Sequence, residues 1–403
     1  MNEIEHQLSV ISRNTVEIIE TGELRKKIEQ SLATNRPLRI KYGIDPTAPE
    51  IHLGHTVPIK KLRDFQSLGH SILFLIGDFT ARIGDPTGRK ETRPNLTVDE
   101  INANLSRYRD QAGKILDLDK TEFVYNSHWL ATMNLDEILK VASIFTIAQI
   151  LEREDFTLRY KAQKPISFHE FLYPLLQGYD SFVLKADVEI GATEQKFNLL
   201  AGRTIQEALG QEKQVVITMP ILVGTDGKMK MSKSYGNHIP VETTPKEMFG
   251  KLMSIPDSLM ADYATFLTDI RADAFKTMIE NHPRAAKSYL AAEVVNQYFG
   301  KPASDKELQE FDNVYRDGKD PENIPDFTVP AELREDDGSV SLLKLLTAAQ
   351  AVPSNAEGRR MVTQKAVDVD GACITDPFAR LTLKDGQVVR VGKRRFFRIK
   401  LPT

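Results

Sequence analysis

Two histidines three residues apart, His52 and His55, follow the turn Asp-Pro-Thr-Ala-Pro and precede a stretch with helical periodicity. The first amides of a helix, together with its dipole, favour an anion at this position. Imidazoles placed there can donate hydrogen bonds to phosphate oxygens as negative charge grows on them. Gly54 adds no side chain between them, so a base or a ribose could lie against the backbone. A metal pair or two surface histidines are the alternatives, and the strand, turn and helix context favours phosphate.

A second group of candidate residues lies in a loop where Gly-Thr-Asp-Gly leads into Lys-Met-Lys-Met-Ser-Lys-Ser, ending at Ser234. Ammonium groups such as those of Lys230 and Lys233 can stabilise a leaving pyrophosphate, and the flanking glycines let such a loop move. Taken alone, the segment could be a solvated basic loop. The sequence has no Gly-x-Gly-x-x-Gly after a strand and no P-loop motif, which disfavours dehydrogenases and P-loop nucleotidases.

A third group, Tyr173, Gln177 and Asp180, follows the i, i+4, i+7 spacing of a single helical face. A phenol, an amide and a carboxylate within an apolar helix are costly to bury without partners, so this face indicates a ligand pocket. The alternative is a polar stripe that faces water.

The elements that must position these residues alternate between strand and helix. Residues 38–45 alternate as in a strand, and residues 71–78 read as a buried strand. Together with a helix at 53–68 between them, they form a parallel strand–helix–strand unit. A largely helical stretch at 98–184 follows, before residues 214–223 supply another apolar strand. The pattern predicts an α/β fold with a doubly wound parallel sheet that a helical insertion splits. Residues 5–34 and 241–317 are predicted to be helical.

Composition sets wider limits on the protein. The 403 residues suit two to three domains, and 41% hydrophobic and 27% charged residues are ordinary for a globular protein. Apolar runs are far shorter than the roughly 20 residues that a membrane span needs. The polar N-terminus disfavours a secretory signal, and the single cysteine, Cys373, excludes an internal disulfide. We therefore expect a cytoplasmic location and no membrane partner.

Charge is distributed unevenly along the chain. Residues 341–403 contain five Lys and seven Arg against five acidic residues, a net charge of +7, so the remainder carries −10 out of a total of −3. A basic segment attached to an acidic body suits contact with a nucleic acid. Charge alone is equally consistent with a basic surface that only contacts water. A linker rich in acidic residues, proline and glycine precedes this tail.

Together, the His-Leu-Gly-His segment and Lys-Met-Ser-Lys-Ser resemble the two sequence motifs of the class I aminoacyl-tRNA synthetases. The resemblance to this family covers essentially the whole chain. The resemblance implies a Rossmann-type catalytic domain that forms an aminoacyl-adenylate from ATP and passes the acyl group to tRNA. It implies that His52, His55 and Thr47 contact the phosphates and that Lys230 and Lys233 contact the pyrophosphate. The residues that it places near ATP are Asp45, Gly54, Gly191, Glu194, Ser232 and Ser234.

The segment from Tyr173 to Asp180 looks like the pattern of the tyrosyl-tRNA synthetases. There, the Asp accepts a hydrogen bond from the substrate phenol, and the Tyr and Gln hold its amino group. The segment Gly-Asp-Pro-Thr-Gly-Arg matches the family, so Asp85 is expected to bind the ammonium of tyrosine. Arg89 and Arg93 are expected to flank the pyrophosphate, with a solvated turn as the alternative for these two.

Three positions depart from the family pattern. Glu194 stands where an Asp usually holds the ribose, next to Gln195, which is expected near the substrate carboxylate. Lys41 stands where many members have a tyrosine that contacts the phenol, and one hypothesis is that Lys41 bonds the phenol or screens Asp180. Pro58 replaces a small polar residue. Lys41 and the Thr-Ala-Pro turn resemble the second, shorter subgroup of bacterial enzymes.

The basic tail resembles the RNA-binding domain named after ribosomal small-subunit protein four. Its candidate RNA contacts, which would give salt-sensitive affinity, are Arg359, Arg360, Lys393, Arg394 and Arg395. A basic domain used for dimer or surface contacts is the alternative. The predicted domains are a catalytic domain at 1–240, a helical domain on the anticodon side at 241–325, a linker at 326–339 and the small α+β domain at 340–403.

The resemblance implies the substrates ATP, tyrosine and tRNA(Tyr), and a homodimer. Mg²⁺ is expected to arrive bound to ATP, since the sequence shows no protein cage for a metal. Three rival functions stay open. A tryptophanyl synthetase shares both motifs, and an indole N–H could also donate to Asp180. A small-molecule nucleotidyltransferase is disfavoured by the lysine loop and the basic tail. A noncatalytic RNA-binding derivative is disfavoured by the intact histidines and lysines.

Overall fold

The computed structural model describes residues 2–46, 50–86, 107–315, 324–335, 337–392 and 395–402, with the side chains of residues 314 and 315 excepted. The chain divides into two compact units, Met1–Lys301 and Pro302–Thr403. Within the described residues, no helix is both long and apolar enough to cross a membrane.

A six-stranded sheet forms the centre of the first unit. Its strands are β1 (Glu17–Ile19), β2 (Arg39–Ile44), β3 (Ser71–Ile76), β4 (Thr121–Tyr125), β5 (Val188–Ala192) and β6 (Val215–Met219). They lie in the order β1-β6-β5-β2-β3-β4, and all neighbours are parallel except β1 and β6. Strands β3 and β6 are apolar and almost wholly buried, as expected for a parallel sheet that helices cover on both faces. The predicted α/β class is confirmed.

Helices make up most of the rest of this unit. They are Glu3–Ser12, Thr21–Thr34, Leu53–Ser67, Thr80–Ile83, Ser127–Leu130, Leu135–Ala142, Ile147–Leu151, Glu154–Lys161, Phe168–Val183, Lys196–Ala208, Pro245–Met253, Met260–Leu267, Ala272–Asn281 and Pro283–Phe299, with residues 107–112 also helical. The helix Leu53–Ser67, which follows β2, matches its predicted bounds closely. It ends where Gly69 adopts a φ of 86°, a conformation that glycine favours.

Two of the predicted helical stretches contain a strand. The stretch 5–34 is broken by β1, because Asn14 turns the chain with a φ of 60° and Ile18 and Ile19 pair with β6. The stretch 98–184 contains β4, which pairs along β3. Both strands are short, and their pairing partners are distant in sequence, so tertiary contacts override the local pattern.

The second unit contains a small sheet and two helices, after the helix Lys301–Tyr315 at the boundary between the units. Strands β7 (Asp326–Thr328), β9 (Val367–Val369), β10 (Ala372–Cys373), β12 (Val388–Val391) and β13 (Arg395–Lys400) form a sheet in the order β10-β9-β12-β13-β7. Strands β8 (Val340–Ser341) and β11 (Arg380–Leu381) pair separately. The helices Leu342–Ala348 and Asn355–Thr363 pack with this sheet around a core that includes Leu345, Val362 and Val389.

The linker predicted at 326–339 is wrong in its first part. Residues Asp326–Thr328 are β7, which pairs in parallel with the last strand, β13. Phe327 packs against Phe397 with ring centroids 5.8 Å apart. The acidic and proline-rich composition concealed this strand, because its one apolar side chain packs against a residue 70 positions later in the sequence.

Candidate active site

The candidate residues of the first unit gather where the parallel strands end. Asp45 follows β2, the helix that begins after His52 comes next, Glu194 and Gln195 follow β5, and the lysine loop follows β6. Side chains at the carboxyl ends of neighbouring parallel strands share one edge of the sheet, and ligands of open α/β sheets bind at this edge. The sheet topology therefore brings together motifs that are far apart in sequence.

His52 and His55 lie stacked at the start of the helix Leu53–Ser67, with ring centroids 3.8 Å apart. Burial lowers the pKa of His52 to about 2 and that of His55 to about 4, so both rings are neutral at pH 7. The backbone N–H of His52 donates to Nδ1 of His55 at 3.3 Å. The hydrogen of the neutral His55 ring is therefore on Nε2, and this N–H can donate to a phosphate oxygen without a formal charge.

Gly54 brings the start of this helix against the lysine loop. A Cβ on Gly54 would lie 3.0 Å from Nδ1 of His52 and 3.5 Å from Cβ of Met231, closer to the imidazole than ordinary packing allows. The backbone N–H of Gly54 donates to the sulfur of Met231 at 3.3 Å. In the structure, the space that the missing side chain leaves is therefore filled by His52 and by the loop.

Each of the two loop lysines pairs with a carboxylate. Nζ of Lys230 lies 2.9 Å and 2.8 Å from the two carboxylate oxygens of Glu194, and Nζ of Lys233 lies 3.3 Å from Oε2 of Glu50. Within the loop, the hydroxyl of Ser232 accepts the backbone N–H of Ser234 at 3.3 Å. Glu194, which was expected to hold the ribose, and Lys230, which was expected to contact the pyrophosphate, are thus paired with each other.

Asp180 lies deep in the site and is 1% exposed. Its Oδ1 accepts a hydrogen bond from Nε1 of Trp129 at 2.8 Å, and its Oδ2 accepts one from Nδ2 of Asn126 at 3.2 Å. Burial raises the pKa of Asp180 to about 7, although the nearby Lys41 ammonium opposes this rise. An acceptor held this firmly can discriminate between ligands that do and do not carry a donor.

A second buried carboxylate, Asp45, connects to the first through a chain of hydrogen bonds. The hydroxyls of Tyr173 and Thr80 donate to its two oxygens at 2.8 Å and 2.7 Å. Asn126 donates from the same amide nitrogen to Thr80 at 3.1 Å and to Asp180. Burial raises the pKa of Asp45 to about 7. Gln177 lies half-buried on the same helix as Tyr173 and Asp180.

Asp85 belongs to a third polar group. Its Oδ1 lies 2.6 Å from Nη2 of Arg153, and its Oδ2 accepts from Nε2 of Gln195 at 2.5 Å. Arg153 is 4% exposed and also bridges to Asp155 at 2.7 Å and to Asn198 at 3.1 Å. The structure therefore joins the two residues that were expected near the ammonium and the carboxylate of the amino acid.

Lys41 lies behind the helix Phe168–Val183, fully buried. Its Nζ contacts the carboxylate of Glu189 at 2.9 Å, the hydroxyl of Ser181 at 2.7 Å and the backbone oxygen of Gln177 at 2.9 Å. An ammonium has three donors, and these acceptors use all three. The structure therefore does not support the hypothesis that Lys41 contacts the substrate phenol. Lys41 instead anchors the helix Phe168–Val183.

Some predicted site residues lie outside the described residues, namely Thr47, Arg89, Arg93, Lys393 and Arg394. Gly191 lies in β5, where a Cβ would come within 3.1 Å of Leu199. In the second unit, Arg359 and Arg360 are exposed on the helix Asn355–Thr363, and Arg395 donates to the backbone oxygen of Ala351 at 2.5 Å. No group of three or more metal-ligating side chains occurs among the described residues.

Sequence reasoning missed four side chains that hold the site together: Thr80, Asn126, Trp129 and Arg153. Asn126 and Trp129 directly follow β4, the strand hidden in the predicted helical insertion. Had the run Thr-Glu-Phe-Val-Tyr been read as a parallel strand, these two residues would have been expected at its carboxyl end, beside the site. No local signal marks Arg153, which lies between two short helices.

Comparisons with known proteins agree on one family. Residues 33–315 match the family model described as tRNA synthetases class I (W and Y). The chain is 50% identical to a tyrosine--tRNA ligase of Carboxydothermus hydrogenoformans, over 99% of this chain and 98% of that protein. It is 46% identical to a tyrosine--tRNA ligase of Moorella thermoacetica, over 98% of this chain and 96% of that protein.

Solved structures give the same result. A tyrosyl-tRNA synthetase from Archaeoglobus fulgidus, crystallised with L-tyrosine, aligns with a TM-score of 0.61 and 27% identity, over 76% of this chain and 99% of that one. A mitochondrial tyrosyl-tRNA synthetase from Coccidioides posadasii, truncated at its C-terminus, aligns with a TM-score of 0.61 and 23% identity over 76% of this chain, and this likeness concerns the fold alone. By its sequence, its parallel sheet and the motifs at the end of that sheet, the chain belongs to the class I tRNA synthetase family that comprises the tryptophan and tyrosine enzymes.

Proposed function

We propose that the protein is a tyrosine--tRNA ligase, which activates tyrosine with ATP and transfers it to the 3′ end of tRNA(Tyr). The observation that carries this proposal is Asp180, a buried acceptor held by Trp129 and Asn126 at the same sheet edge as the histidines and the lysine loop. A phenol donates one hydrogen bond, and Asp180 can accept it. The names of the close relatives support tyrosine over tryptophan.

In the first step, a carboxylate oxygen of tyrosine attacks the α-phosphorus of ATP. A new P–O bond forms, the bond to the β-phosphate bridging oxygen breaks, and pyrophosphate leaves with the electron pair. Such a step needs positioning and charge stabilisation rather than covalent help from the protein. His55 donates a neutral N–H to the phosphates, together with His52 and Thr47, and Lys230 and Lys233 neutralise the pyrophosphate. Mg²⁺ arrives bound to ATP.

The remaining residues position the substrates. Asp180 binds the phenol, while Tyr173, Gln177 and Asp85 hold the ammonium. Gln195 approaches the carboxylate of tyrosine. On the nucleotide side are Asp45, Gly54, Gly191, Glu194, Arg89, Arg93, Ser232 and Ser234. In the second step, a hydroxyl of the terminal ribose of tRNA attacks the tyrosyl carbonyl carbon, and AMP leaves.

Lys41 acts on this pocket indirectly. It ties β2 to the helix Phe168–Val183 through Ser181 and the backbone of Gln177, and its charge opposes the rise in the pKa of Asp180. Glu189 balances that charge at 2.9 Å. Lys41 is thus a positioning residue that screens Asp180 without contacting the substrate.

We also propose that the protein is a homodimer. Several large apolar side chains within residues 135–168 are exposed to solvent. Leu135 and Leu139, on one helical face, are 68% and 57% exposed, and Phe168 is 75% exposed. Exposed apolar side chains in such number indicate a protein–protein contact. Light scattering that gives twice the mass of one chain supports this, and a monomer at all concentrations refutes it.

We propose that the second unit binds tRNA through Arg359, Arg360, Lys393, Arg394 and Arg395. The net charge of the tail and the exposure of the first two arginines support this. We assign residues 241–325 to the anticodon side. A cytoplasmic location fits the single cysteine and the activity, and fractionation of the source cells tests it.

The decisive experiment is ATP–pyrophosphate exchange with each of the twenty amino acids. We expect exchange with tyrosine alone. Exchange with tryptophan instead would show that the protein is a tryptophan--tRNA ligase, the other enzyme of the same family. No exchange, with intact RNA binding, would support a noncatalytic RNA-binding derivative.

A further inference from the structure

The second unit presents an aromatic ring to solvent. Phe378 is 68% exposed, and among the described residues of Pro302–Thr403 it is the sole large apolar side chain that is mostly exposed. A single exposed apolar residue is ordinary on protein surfaces. Its surroundings make this one unusual.

The ring of Phe378 lies under a guanidinium. The guanidinium carbon of Arg359 is 5.3 Å from the ring centroid. The neighbouring Arg360 pairs with Glu357 at 2.7 Å, whereas no carboxylate of the described residues lies within ion-pair distance of Arg359. The pair therefore combines an exposed aromatic face with a cation that no acidic side chain in the described part of the chain neutralises.

An ordered turn holds this ring. The backbone N–H of Phe378 donates to the carboxylate of Asp376 at 2.9 Å. The next residue, Ala379, accepts a hydrogen bond from Leu342, and Arg380 then enters β11. Because the backbone is fixed on both sides of Phe378, a ligand that stacks on the ring pays little ordering entropy.

We propose that Phe378 and Arg359 form a stacking site for an unpaired RNA nucleotide. Proteins recognise single-stranded RNA by stacking its bases on aromatic rings and on guanidinium planes, and a free arginine also attracts the adjacent phosphate. The positive charge of this tail favours RNA over an apolar protein partner. The inference rests on the proposed tRNA binding by this unit and adds a subsite of defined chemistry to it.

The same unit offers a matched control. The guanidinium carbon of Arg390 lies 5.5 Å from the ring centroid of Phe396, but both side chains are half-buried, and Nε of Arg390 donates to the backbone oxygen of Gly392. Phe396→Leu thus removes a ring over which an arginine lies, without removing an exposed stacking face.

The test is the affinity of the full-length protein for a tRNA(Tyr) transcript, measured over a range of salt concentrations. Phe378→Leu should weaken binding about tenfold, the usual size of one base–aromatic stack, without changing the salt dependence. Phe378→Trp should restore affinity, and its indole fluorescence should be quenched by the RNA, with Trp129 as the sole other tryptophan. Phe396→Leu should bind like the wild type.

Equal affinity of Phe378→Leu and the wild type overturns the stacking site, as does a loss that Phe378→Trp does not rescue. Arg359→Ala should make the slope of log affinity against log salt less steep by about one, and an unchanged slope would contradict a phosphate contact of Arg359. Wild-type protein that does not bind tRNA refutes this inference and the proposed RNA contact together. Tyrosine-dependent exchange by the wild type needs no tRNA, so it tests the proposed activation step separately.

Discussion

The two parts of the candidate site, the proposed amino-acid side around Asp180 and the proposed pyrophosphate side at the lysine loop, differ in how they hold charge. Asp180 is 1% exposed and accepts hydrogen bonds from two neutral donors, whereas Lys230 and Lys233 have side chains 33% and 51% exposed and pair with carboxylates. The buried side has fixed partners that would cost much free energy to replace. The exposed pairs are individually weak, so a ligand can displace them. On the proposed function, selection of the amino acid therefore relies on fixed buried partners, and binding of the phosphates relies on exchangeable surface ion pairs.

The largest effect should come from removing the buried acceptor. We expect Asp180→Ala to lower kcat/KM for tyrosine in exchange by about 10⁴-fold, because the phenol and Trp129 then lose their acceptor in a buried site. Asp269→Ala, which removes an exposed carboxylate paired with Arg63, should change exchange little. A loss of less than about tenfold for Asp180→Ala would place the phenol elsewhere.

The next effect concerns stability behind the pocket. Lys41→Met leaves the buried Glu189 without its cation and should lower the free energy of unfolding by about 3–5 kcal/mol. Adding Glu189→Gln, which removes that charge but keeps an acceptor for Ser181, should restore most of the loss. Lys230→Ala breaks an exposed pair and should cost less than about 1 kcal/mol. Denaturant unfolding measures both free energies. Equal losses of unfolding free energy for Lys41→Met and Lys230→Ala would refute the difference in charge pairing between the two sides.

The lysine loop should affect the rate rather than tyrosine binding. Lys230→Ala or Lys233→Ala should lower the exchange rate about a hundredfold and leave KM for tyrosine unchanged. Lys228→Ala is the matched control, since Lys228 lies exposed in the same loop and its backbone, not its ammonium, makes the hydrogen bond that anchors it to Asp226. A raised KM for tyrosine in Lys230→Ala would show that the two sides are coupled.

The smallest effect should be on pH dependence. The pKa of Asp180 is raised to about 7, so the carboxylate gains a proton as pH falls through 7 and loses its capacity to accept a hydrogen bond at that oxygen. KM for tyrosine should increase at most tenfold for each pH unit below pH 7 and should be constant at pH values well above 7. Asp180→Asn, whose amide does not titrate in this range, is the control and should lose this rise. The same raised pKa implies that this group's contribution to stability declines as pH rises from about 4 to 7. A KM for tyrosine that is flat from pH 5.5 to 8.5 would contradict a titrating Asp180.

The sequence predicted the pyrophosphate side more completely than the amino-acid side. His52, Lys230 and Lys233 lie in short motifs at strand ends, so local spacing together with a parallel sheet was enough to place them. The partners of Asp180 follow β4, whose three-dimensional pairing is needed to recognise it as a strand. Hydrogen-bond partners distant in sequence leave no periodic signal.

Lys41 shows a second limit. Its position before Asp45 suggested a contact with the phenol, yet its three donors go to Glu189, Ser181 and the backbone of Gln177. Glu189 lies in β5 and is 1% exposed. A sequence does not reveal that two charges more than a hundred residues apart neutralise each other within a core, so the direction of a lysine side chain cannot be inferred from its neighbours in the chain.

The pairing of the two loop lysines with Glu194 and Glu50 also bears on competition among polyanions. Any polyanion that approaches this loop must first displace carboxylates tethered beside the lysines at a high effective concentration. In the proposed function, a nucleotide whose ribose binds Glu194 removes that competitor as it binds, whereas free phosphate has no ribose to do so. On the proposed function, this competition favours a nucleotide over free phosphate at the lysine loop.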